Sequence, residues 1–315
     1  MTAMPTCQRV PYDELADVYD LVTGSQRHQP WVRALVDIAR RYGVRGSQAL
    51  DVACGTGRSF LPLIELGFTV TGCDHSQEML ARARARRRGP EVRLVSADMR
   101  RLPVLGSFDL ILCLNDSLNH LTDADDAVAA FRGMRANLGR HGVVVFDVLL
   151  EGAFKHAQDA VLEDERHLVA WRGSRAVLER PGAEVENVIE IFEQAGSLWR
   201  RRTWRLRERH YPLRMLERML GAAGLSPLAT IGQRRGGMFD GSADESRHHK
   251  AVVVAGIRDQ ATYRKERACS GVHDVIAARP LSTRVSPLFP VTVADARSWG
   301  CGVGIDALGP SLSTL

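Results

Sequence analysis

The stretch ALDVACGTGRSF combines an acidic residue with a pair of glycines at a spacing that suits ligand binding. Its apolar beginning ends at Asp51, and Gly55 and Gly57 follow within one short turn. Glycines allow the backbone to turn tightly and to approach a ligand closely. Turns of this kind, between a strand and a helix, commonly bind adenosine-containing ligands. The neighbouring residues must therefore decide which ligand fits.

The two common phosphate-binding motifs are not satisfied by this turn. The dinucleotide motif has a third glycine that brings helix and strand close together, but Phe60 stands at that position. A nucleotide P-loop requires a lysine directly after its last glycine, and none is present here. The turn therefore differs from both motifs.

A second group of polar residues follows the apolar run FDLILCL. Asn115, Asp116, Asn119 and His120 lie close together in this loop. A carboxylate or an imidazole there can orient an amine or accept its proton. Alternatively, Asp116 and Asn119 cap the helix that follows. The sequence leaves both interpretations open.

Strands and helices alternate around these residues, which predicts right-handed βαβ units and a parallel sheet. Ser76 is expected to cap the helix that it begins. Two further helices, at 12–23 and 30–42, precede the first strand. The strands are predicted at 49–53, 68–73, 92–95, 108–114 and 142–148, and the helices at 58–66, 76–87 and 123–138.

The alternating pattern is interrupted between residues 151 and 211. Strands at 185–192 and 199–209 flank Ala195 and Gly196, which are typical residues of a hairpin turn. A helix at 212–223 and strands at 225–231 and 250–256 complete the main sheet. The expected fold class is α/β, with a doubly wound, mostly parallel seven-stranded sheet and an antiparallel β insertion.

These patterns predict one domain over residues 1–257. Within it, residues 1–45 form an N-terminal helical lid, and residues 151–211 form a β subdomain on the substrate side. Residues 258–315 lack clear periodicity and are expected to form a C-terminal tail of low order.

The composition is that of a soluble globular protein. Of the 315 residues, 45% are hydrophobic and 25% are charged. The six cysteines include no C-x-x-C pair, so we expect neither a zinc site nor a disulfide framework, and no other metal. The N-terminus lacks the pattern of a signal peptide, and no apolar run is long enough to span a bilayer. These features favour a cytoplasmic protein without a membrane partner.

The order of the motifs resembles that of the class I S-adenosylmethionine-dependent methyltransferases. DVACGTG is similar to the first motif of the family, and TVTGCDHSQEMLARA, SADMRRLP and FDLILCLNDSLNHL are similar to the motifs that follow. The opening YDELADVYD and the late RERHYPLRMLERMLGAAGL resemble small-molecule members, including glycine and amino-sugar N-methyltransferases. The resemblance extends from about residue 12 to residue 257.

The resemblance implies that S-adenosylmethionine is the cofactor. In the family, the glycine turn accommodates the amino acid part of the cofactor, and the acid that matches Asp74 accepts hydrogen bonds from both ribose hydroxyls. A single acid of this kind is equally typical of a helix cap, but the ordered set favours a methyltransferase. The implied cofactor residues are Asp51, Ala53, Cys54, Gly55, Thr56, Gly57, Asp74, His75, Ser76, Met79, Asp98, Met99, Leu114 and Asn115.

Methyl transfer requires alignment of acceptor and cofactor and exclusion of water, whereas a base is needed only if the acceptor must lose a proton. The candidate catalytic residues are Asp116, His120, His210 and Tyr19. Tyr12 and Tyr19 are seven positions apart, so we expect both on one face of a helix that closes over the cofactor. A simple packing pair is the alternative.

The run WRRRTWRLRERH raises the question of nucleic-acid binding, because clustered arginines can neutralise phosphates. In the predicted hairpin, glutamates face these arginines, and such cross-strand pairs are stabilising. We therefore favour a structural role and expect no nucleic-acid partner. The expected pairs are Glu190 with Arg201, Glu186 with Arg205 and Glu184 with Arg207.

The function expected from these features is methyl transfer to a small-molecule acceptor, with an amine slightly favoured over a hydroxyl or a carbon. One alternative is an RNA or protein methyltransferase that uses the arginine-rich insertion. Another is a cofactor-binding regulatory module without turnover. A homodimer is compatible with each of these functions.

Overall fold

Two β-sheets form the frame of the protein, described by a computed structural model over residues 11–24, 28–86, 89–155, 159–173 and 182–258. Eight strands form the main sheet, and four form the second. In spatial order the main sheet consists of β11 (Phe239–Ser242), β10 (Leu225–Gln233), β12 (Lys250–Ile257), β5 (Leu138–Leu149), β4 (Phe108–Cys113), β1 (Gln48–Val52), β2 (Thr69–Asp74) and β3 (Val92–Ser96).

The main sheet confirms the expected α/β fold. Its first five strands are parallel, and β12 runs antiparallel between β5 and β10. The short strand β11 extends the seven expected strands by an eighth at the edge beyond β10. Because β12 lies between β5 and β10, its residues are flanked by a strand on each side.

Helices cover both faces of the main sheet, because its central strands are buried almost continuously and therefore on both faces. On β5, Val144, Phe146 and Val148 pack into one apolar cluster, whereas Val143 and Val145 pack into the other. The helices are α1 (Tyr19–Thr23), α2 (His28–Arg41), α3 (Phe60–Glu65), α4 (Gln77–Arg86), α5 (Ala124–Asn137), α6 (Glu151–Lys155) and α7 (Leu213–Ala222).

The second sheet contains β6 (Ala160–Glu163), β7 (His167–Arg172), β8 (Glu184–Ala195) and β9 (Leu198–Arg209), all antiparallel. The predicted hairpin is therefore part of a larger sheet. Its turn consists of Gly196 and Ser197 rather than Ala195 and Gly196. This shift by one residue changes the register by two, so that Glu190 lies opposite Thr203 rather than Arg201.

The N-terminal segment differs from the single helix predicted for residues 12–23. It contains a short 3-10 helix at Pro11–Asp13 and, after a turn, α1. Leu15 and Val18 pack against Ile189 and Trp204 of the second sheet, so the segment joins the two sheets. The helix predicted for 30–42 is confirmed as α2.

Within the part of the chain that the structure describes, no helix is both long and apolar enough to cross a membrane. The predicted tail, apart from Arg258, and residues 1–10 lie outside the described residues.

Candidate active site

The candidate site lies at the carboxyl ends of β1, β2 and β4. Asp51 on β1 is in register with Gly72 on β2 and with Leu112 on β4. Strand order reverses at β1, since β2 and β3 lie on one side and β4 and β5 on the other. In open α/β sheets, ligands bind at this switch point.

The glycine turn has the backbone conformation that its sequence predicts. Ala53, Gly55 and Gly57 have φ angles of 56°, 53° and 76°, in the left-handed region. Phe60 replaces the third glycine of the dinucleotide motif, and its ring occupies the space beside Gly57. A Cβ atom on Gly57 would lie 2.4 Å from Cε2 of Phe60. The absence of a side chain at Gly57 thus accommodates the phenyl ring.

Asp74 at the end of β2 is tied to two backbone segments. Its Oδ2 accepts a hydrogen bond of 2.8 Å from Gly55 N, and its Oδ1 accepts one of 2.9 Å from Ser76 N. Burial raises the pKa of Asp74, and the two backbone donors oppose this shift. The carboxylate therefore fixes the glycine turn against the start of α4.

The N-terminal segment covers the glycine turn. A Cβ atom on Gly55 would lie 3.6 Å from Cε1 of Tyr19, so the tyrosine ring lies over the turn. Thr56 Oγ1 donates to Asp20 at 2.7 Å, and Arg58 donates to the backbone oxygen of Thr23 at 2.7 Å. These contacts hold α1 against the turn, and the segment of residues 11–24 is called the lid below.

A small pocket lies between the lid and the strand ends. Two oxygens in it, Asp51 Oδ2 and Asn115 Oδ1, are buried and accept no hydrogen bond from the described residues. Burial and, to a smaller extent, the charge of Asp74 raise the pKa of Asp51 to about 7. Unpaired buried acceptors fit a ligand that carries an ammonium group, such as the amino acid part of S-adenosylmethionine. The lining residues are Tyr19, His28, Asp51, Ala53, Cys54, Thr56, Arg58, Ser59, Leu114 and Asn115.

The remaining cofactor candidates lie along the edge beside β2 and β3. Ser76 caps α4 as predicted, because its Oγ accepts a hydrogen bond of 3.1 Å from Met79 N. Met79 is buried and His75 is exposed. Asp98 caps a short 3-10 helix that begins at Met99, and it also pairs with Arg100. Asp98 thus makes the capping contacts that were the alternative to a cofactor role.

The polar loop after β4 encloses a charged cluster. Asn115 and Asp116 both have left-handed backbone conformations, with φ angles of 58° and 52°. Such strain in consecutive non-glycine residues is typical of functional sites. Lys250 on β12 lies 2.6 Å from Asp116 Oδ1 and 2.8 Å from Asp147 Oδ2. Burial raises the pKa of Asp116, but Lys250 and His120 outweigh it and lower the value overall.

His120 lies next to this cluster and is joined to the lid. Its Nε2 lies 2.7 Å from Tyr12 Oη, at hydrogen-bonding distance. Burial lowers the pKa of His120, while the charge of Asp116 opposes this shift. Atoms of Asp116, His120 and Glu208 lie within 4.8 Å of one another. The loop, the lid and β9 therefore converge on one place.

Two of the polar residues singled out from the sequence lie outside this convergence. Asn119 does not cap a helix: its Nδ2 donates to Arg209 O, and its Oδ1 accepts from Leu149 N. His210 is buried against Phe154, with ring centroids 5.8 Å apart. Burial lowers the pKa of His210, and the acids that oppose this shift are Glu245 and Glu151 rather than Asp116.

Tyr12 and Tyr19 are brought together in a different way from the one predicted. They do not share a helix, because Tyr12 lies in the 3-10 turn and Tyr19 begins α1. Their rings nevertheless meet edge to face, with centroids 6.4 Å apart. Tyr19 faces the pocket, and Tyr12 faces His120.

Sequence reasoning missed Lys250, Asp147 and Glu208. The first two had a signal, since Lys250 begins the otherwise apolar strand KAVVVAGI and Asp147 is the single charge in the apolar run VVVFDVL. An ionised side chain in a buried strand normally has a partner. Glu208 had no such signal, because it stands among the charged residues of β9.

Three of the six arginines of β9 form ion pairs with glutamates of β8. Arg201 contacts Glu190, which also pairs with Arg172, and Arg205 and Arg207 both contact Glu186. Two of the predicted ion pairs therefore form, although diagonally rather than directly opposite. These contacts support the structural interpretation of the arginine run.

Comparisons with known proteins agree with the geometry of the site. A family model described as a methyltransferase domain matches residues 49–142, which contain the glycine turn and the polar loop. A protein of Geobacillus sp. (strain WCH70), provisionally named a methyltransferase, is 30% identical over 185 residues, covering 58% of this chain and 74% of that protein.

A second relative has a defined reaction in its name. The dTDP-3-amino-3,6-dideoxy-alpha-D-glucopyranose N,N-dimethyltransferase of Streptomyces fradiae is 35% identical over 137 residues. The match covers 42% of this chain and 52% of that enzyme, so it spans about half of the relative.

Solved structures give the same fold. An S-adenosylmethionine-dependent methyltransferase from Clostridium acetobutylicum ATCC 824 has a TM-score of 0.65 and 23% identity, covering 78% of this chain and 98% of that one. The relative from Geobacillus, 30% identical and covered to 74% of its length, establishes the family together with the motif order and the switch-point pocket. The chain belongs to the class I S-adenosylmethionine-dependent methyltransferases, and S-adenosylmethionine is its cofactor.

Proposed function

We propose that the protein transfers a methyl group from S-adenosylmethionine to the nitrogen of a small-molecule amine. The observation that carries this proposal is the convergence of Asp116, His120 and Glu208 within 4.8 Å beside the pocket. Carboxylates attract a cationic amine, and a neutral imidazole can accept the proton that the nitrogen must lose. A hydroxyl acceptor carries no charge that would complement these acids.

The cofactor is proposed to occupy the pocket under the lid. When bound, it supplies a methyl group activated by a sulfonium. Asp51 and Asn115 offer free oxygens to its amino acid part, and Asp74 is the candidate ligand of the ribose hydroxyls. Tyr19 covers the glycine turn and excludes water. The other proposed cofactor residues are Ala53, Cys54, Gly55, Thr56, Gly57, His75, Ser76, Met79, Asp98, Met99 and Leu114.

The residues on the acceptor side have separate proposed roles. His120 holds the proton released by the acceptor nitrogen, and Tyr12 fixes the orientation of the imidazole through their hydrogen bond. Asp116 faces the amine and is held in place by Lys250. We do not include His210, which packs against Phe154. The relative from Streptomyces fradiae, named as an amino-sugar N,N-dimethyltransferase, supports an amine acceptor.

Matched acceptors test the proposal. The purified protein and S-adenosylmethionine would be incubated with the amino sugar in the name of that relative and with its 3-hydroxy counterpart, and in parallel with glycine and glycolate. We expect S-adenosylhomocysteine and an N-methylated product, identified by mass spectrometry, only with an amine. Methylation of a hydroxyl compound in preference to its amine counterpart would contradict the proposal.

A further inference from the structure

Three carboxyl groups and one ammonium group surround the acceptor side of the site. Lys250 contacts Asp116 and Asp147, and Glu208 on β9 adds a third carboxyl group. Among the described residues, no lysine or arginine forms an ion pair with Glu208. The cluster therefore has more carboxyl groups than basic groups, and Glu208 lies beside His120 and Asp116.

Glu208 is hydrogen-bonded to a neutral amide and to the carboxyl group of Asp116. It is 5% exposed, and its Oε2 accepts a hydrogen bond of 2.7 Å from Nδ2 of Asn187 on β8. Burial and, to a smaller extent, the charge of Asp116 raise the pKa of Glu208 to about 8, whereas the charge of Lys250 opposes the shift. The other titratable groups that face it are Tyr12 and His120. An unliganded site therefore keeps Glu208 largely protonated at neutral pH.

We propose that Glu208 and Asp116 together bind the ammonium group of the acceptor, and that Glu208 is the residue that selects a cationic amine over a neutral hydroxyl. The inference rests on the amine acceptor proposed above. An ammonium group supplies the positive charge that the cluster lacks, so Glu208 ionises when the amine binds. A neutral acceptor gives no such compensation.

A metal ion fits the same atoms less well than an ammonium group. Asp116 Oδ1 already accepts from Lys250, and His120 Nε2 is already hydrogen-bonded to Tyr12. The Lys250 ammonium would also repel a divalent cation beside Asp116 about twice as strongly as it repels a monovalent ammonium group. N–H donors need only one oxygen of each acid, and these oxygens converge within reach of one nitrogen.

Carbon NMR of the carboxyl groups tests the cation site without any turnover. Protein labelled at the glutamate side-chain carboxyl carbon and saturated with S-adenosylhomocysteine would be titrated with methylammonium chloride, with sodium chloride at equal concentration as the control. The signal lost in Glu208→Gln identifies the residue. We expect methylammonium, and not sodium, to convert that signal to the ionised form near pH 7. No response, or a response only to zinc or manganese, would overturn the proposal.

Steady-state kinetics then tests selection during turnover. With whichever amine is methylated, Glu208→Gln should raise KM about tenfold or more and change kcat much less, because a charge-assisted contact to the bound amine is lost. Glu186→Gln, on the neighbouring strand β8 and paired with exposed arginines, is the matched control and should change neither. If Glu208→Gln does not fold, Glu208→Asp replaces it, since it keeps the charge and shortens the reach.

The outcomes separate this inference from the proposed function. Methylation of amines with an unchanged KM in Glu208→Gln would overturn the role of Glu208 and leave the amine acceptor in place. Ionisation of Glu208 by methylammonium, together with methylation of hydroxyl compounds only, would support the cation site but contradict both the proposed function and the selection of an amine by Glu208.

Discussion

Tyr12 Oη and His120 Nε2 are hydrogen-bonded across 2.7 Å, although 108 positions separate the two residues in the chain. Their rings lie 5.4 Å apart, and Trp204 of the second sheet packs against Tyr12 from another side at 5.3 Å. Burial raises the pKa of Tyr12 and lowers that of His120, so both groups are neutral near pH 7. The contact joins lid, insertion and polar loop on the acceptor side.

Tyr12→Phe should reduce kcat while leaving cofactor affinity almost unchanged. The substitution keeps the ring packing but removes the hydroxyl that orients the imidazole, which corresponds to about 1–2 kcal/mol, or roughly 5- to 30-fold in rate. Steady-state kinetics with the acceptor that the enzyme methylates measures kcat, and calorimetry with S-adenosylhomocysteine measures the cofactor affinity. Tyr42→Phe, which removes a hydroxyl just beyond α2, is the control. A kcat within twofold of wild type would exclude an orienting role for Tyr12.

Lys250→Met should strongly destabilise the fold. The substitution leaves Asp116 and Asp147 in the cluster without their cation, and breaking a buried ion pair in this way typically costs about 3–5 kcal/mol. Chemical denaturation measures the free energy of unfolding. The double variant Lys250→Met, Asp147→Asn should recover part of the loss, because one uncompensated charge is removed. Lys155→Met, which breaks an exposed pair with Glu151, should cost less than about 1 kcal/mol.

Cofactor binding should release a proton from Asp51. The pKa of Asp51 is about 7 in the folded protein, so its side chain is mostly protonated at pH 6. An ammonium group bound beside it favours the carboxylate and lowers the pKa, so a proton leaves on binding at pH 6 and hardly any at pH 8. Calorimetric titration with S-adenosylhomocysteine in buffers of different ionisation enthalpy measures the proton count.

Asp51→Asn is the matched variant for this measurement, because the amide has the same shape and no proton to release. Proton release that persists unchanged in Asp51→Asn would assign the proton to another group.

Asp51 also affects the stability of the fold, and the sign of its pH dependence is definite. Its folded pKa lies above the unfolded value, so its contribution to folding is complete below about pH 4 and is lost as the pH rises through 7.

The main sheet and the glycine turn were predictable from sequence because their signals are local. The apolar strand, Asp51 and the glycine pair follow one another within a few residues. Each of these residue types indicates the backbone structure at its own position. The prediction of the hairpin register failed because a turn shifted by one residue, to Gly196 and Ser197, moves every pair on β8 and β9.

The acceptor side was only partly predictable because its contacts join distant parts of the chain. Asp116 and His120 were found as a polar loop, but Lys250 reaches Asp116 across 134 positions. That contact depends on the insertion of β12 beside β5. Glu208 meets the same site because the second sheet packs against the lid, and no local pattern in β9 reports this arrangement.

Gly72→Ala should destabilise the protein through Phe60. A Cβ atom on Gly72 would lie 2.7 Å from Cζ of Phe60, which is closer than carbon atoms approach. Overpacking of this kind typically costs about 1–3 kcal/mol. The double variant Gly72→Ala, Phe60→Leu should be less destabilised than the sum of the single changes, because the shorter side chain frees the space. Additive losses in thermal or chemical unfolding would show that the two residues do not compete for space.

Asp74→Ala should weaken binding of S-adenosylhomocysteine by about 2–4 kcal/mol if the carboxylate accepts hydrogen bonds from both ribose hydroxyls. The substitution also removes the acceptors of Gly55 N and Ser76 N, so part of the loss comes from a loosened turn. Asp74→Asn keeps one acceptor oxygen, so it should lose less affinity and less stability than Asp74→Ala, and the unfolding curves show how much of each loss comes from the turn. Calorimetry of both variants, with unfolding curves to confirm that each is folded, gives the comparison. Unchanged affinity in Asp74→Ala would mean that the ribose lies elsewhere and that Asp74 serves only the turn.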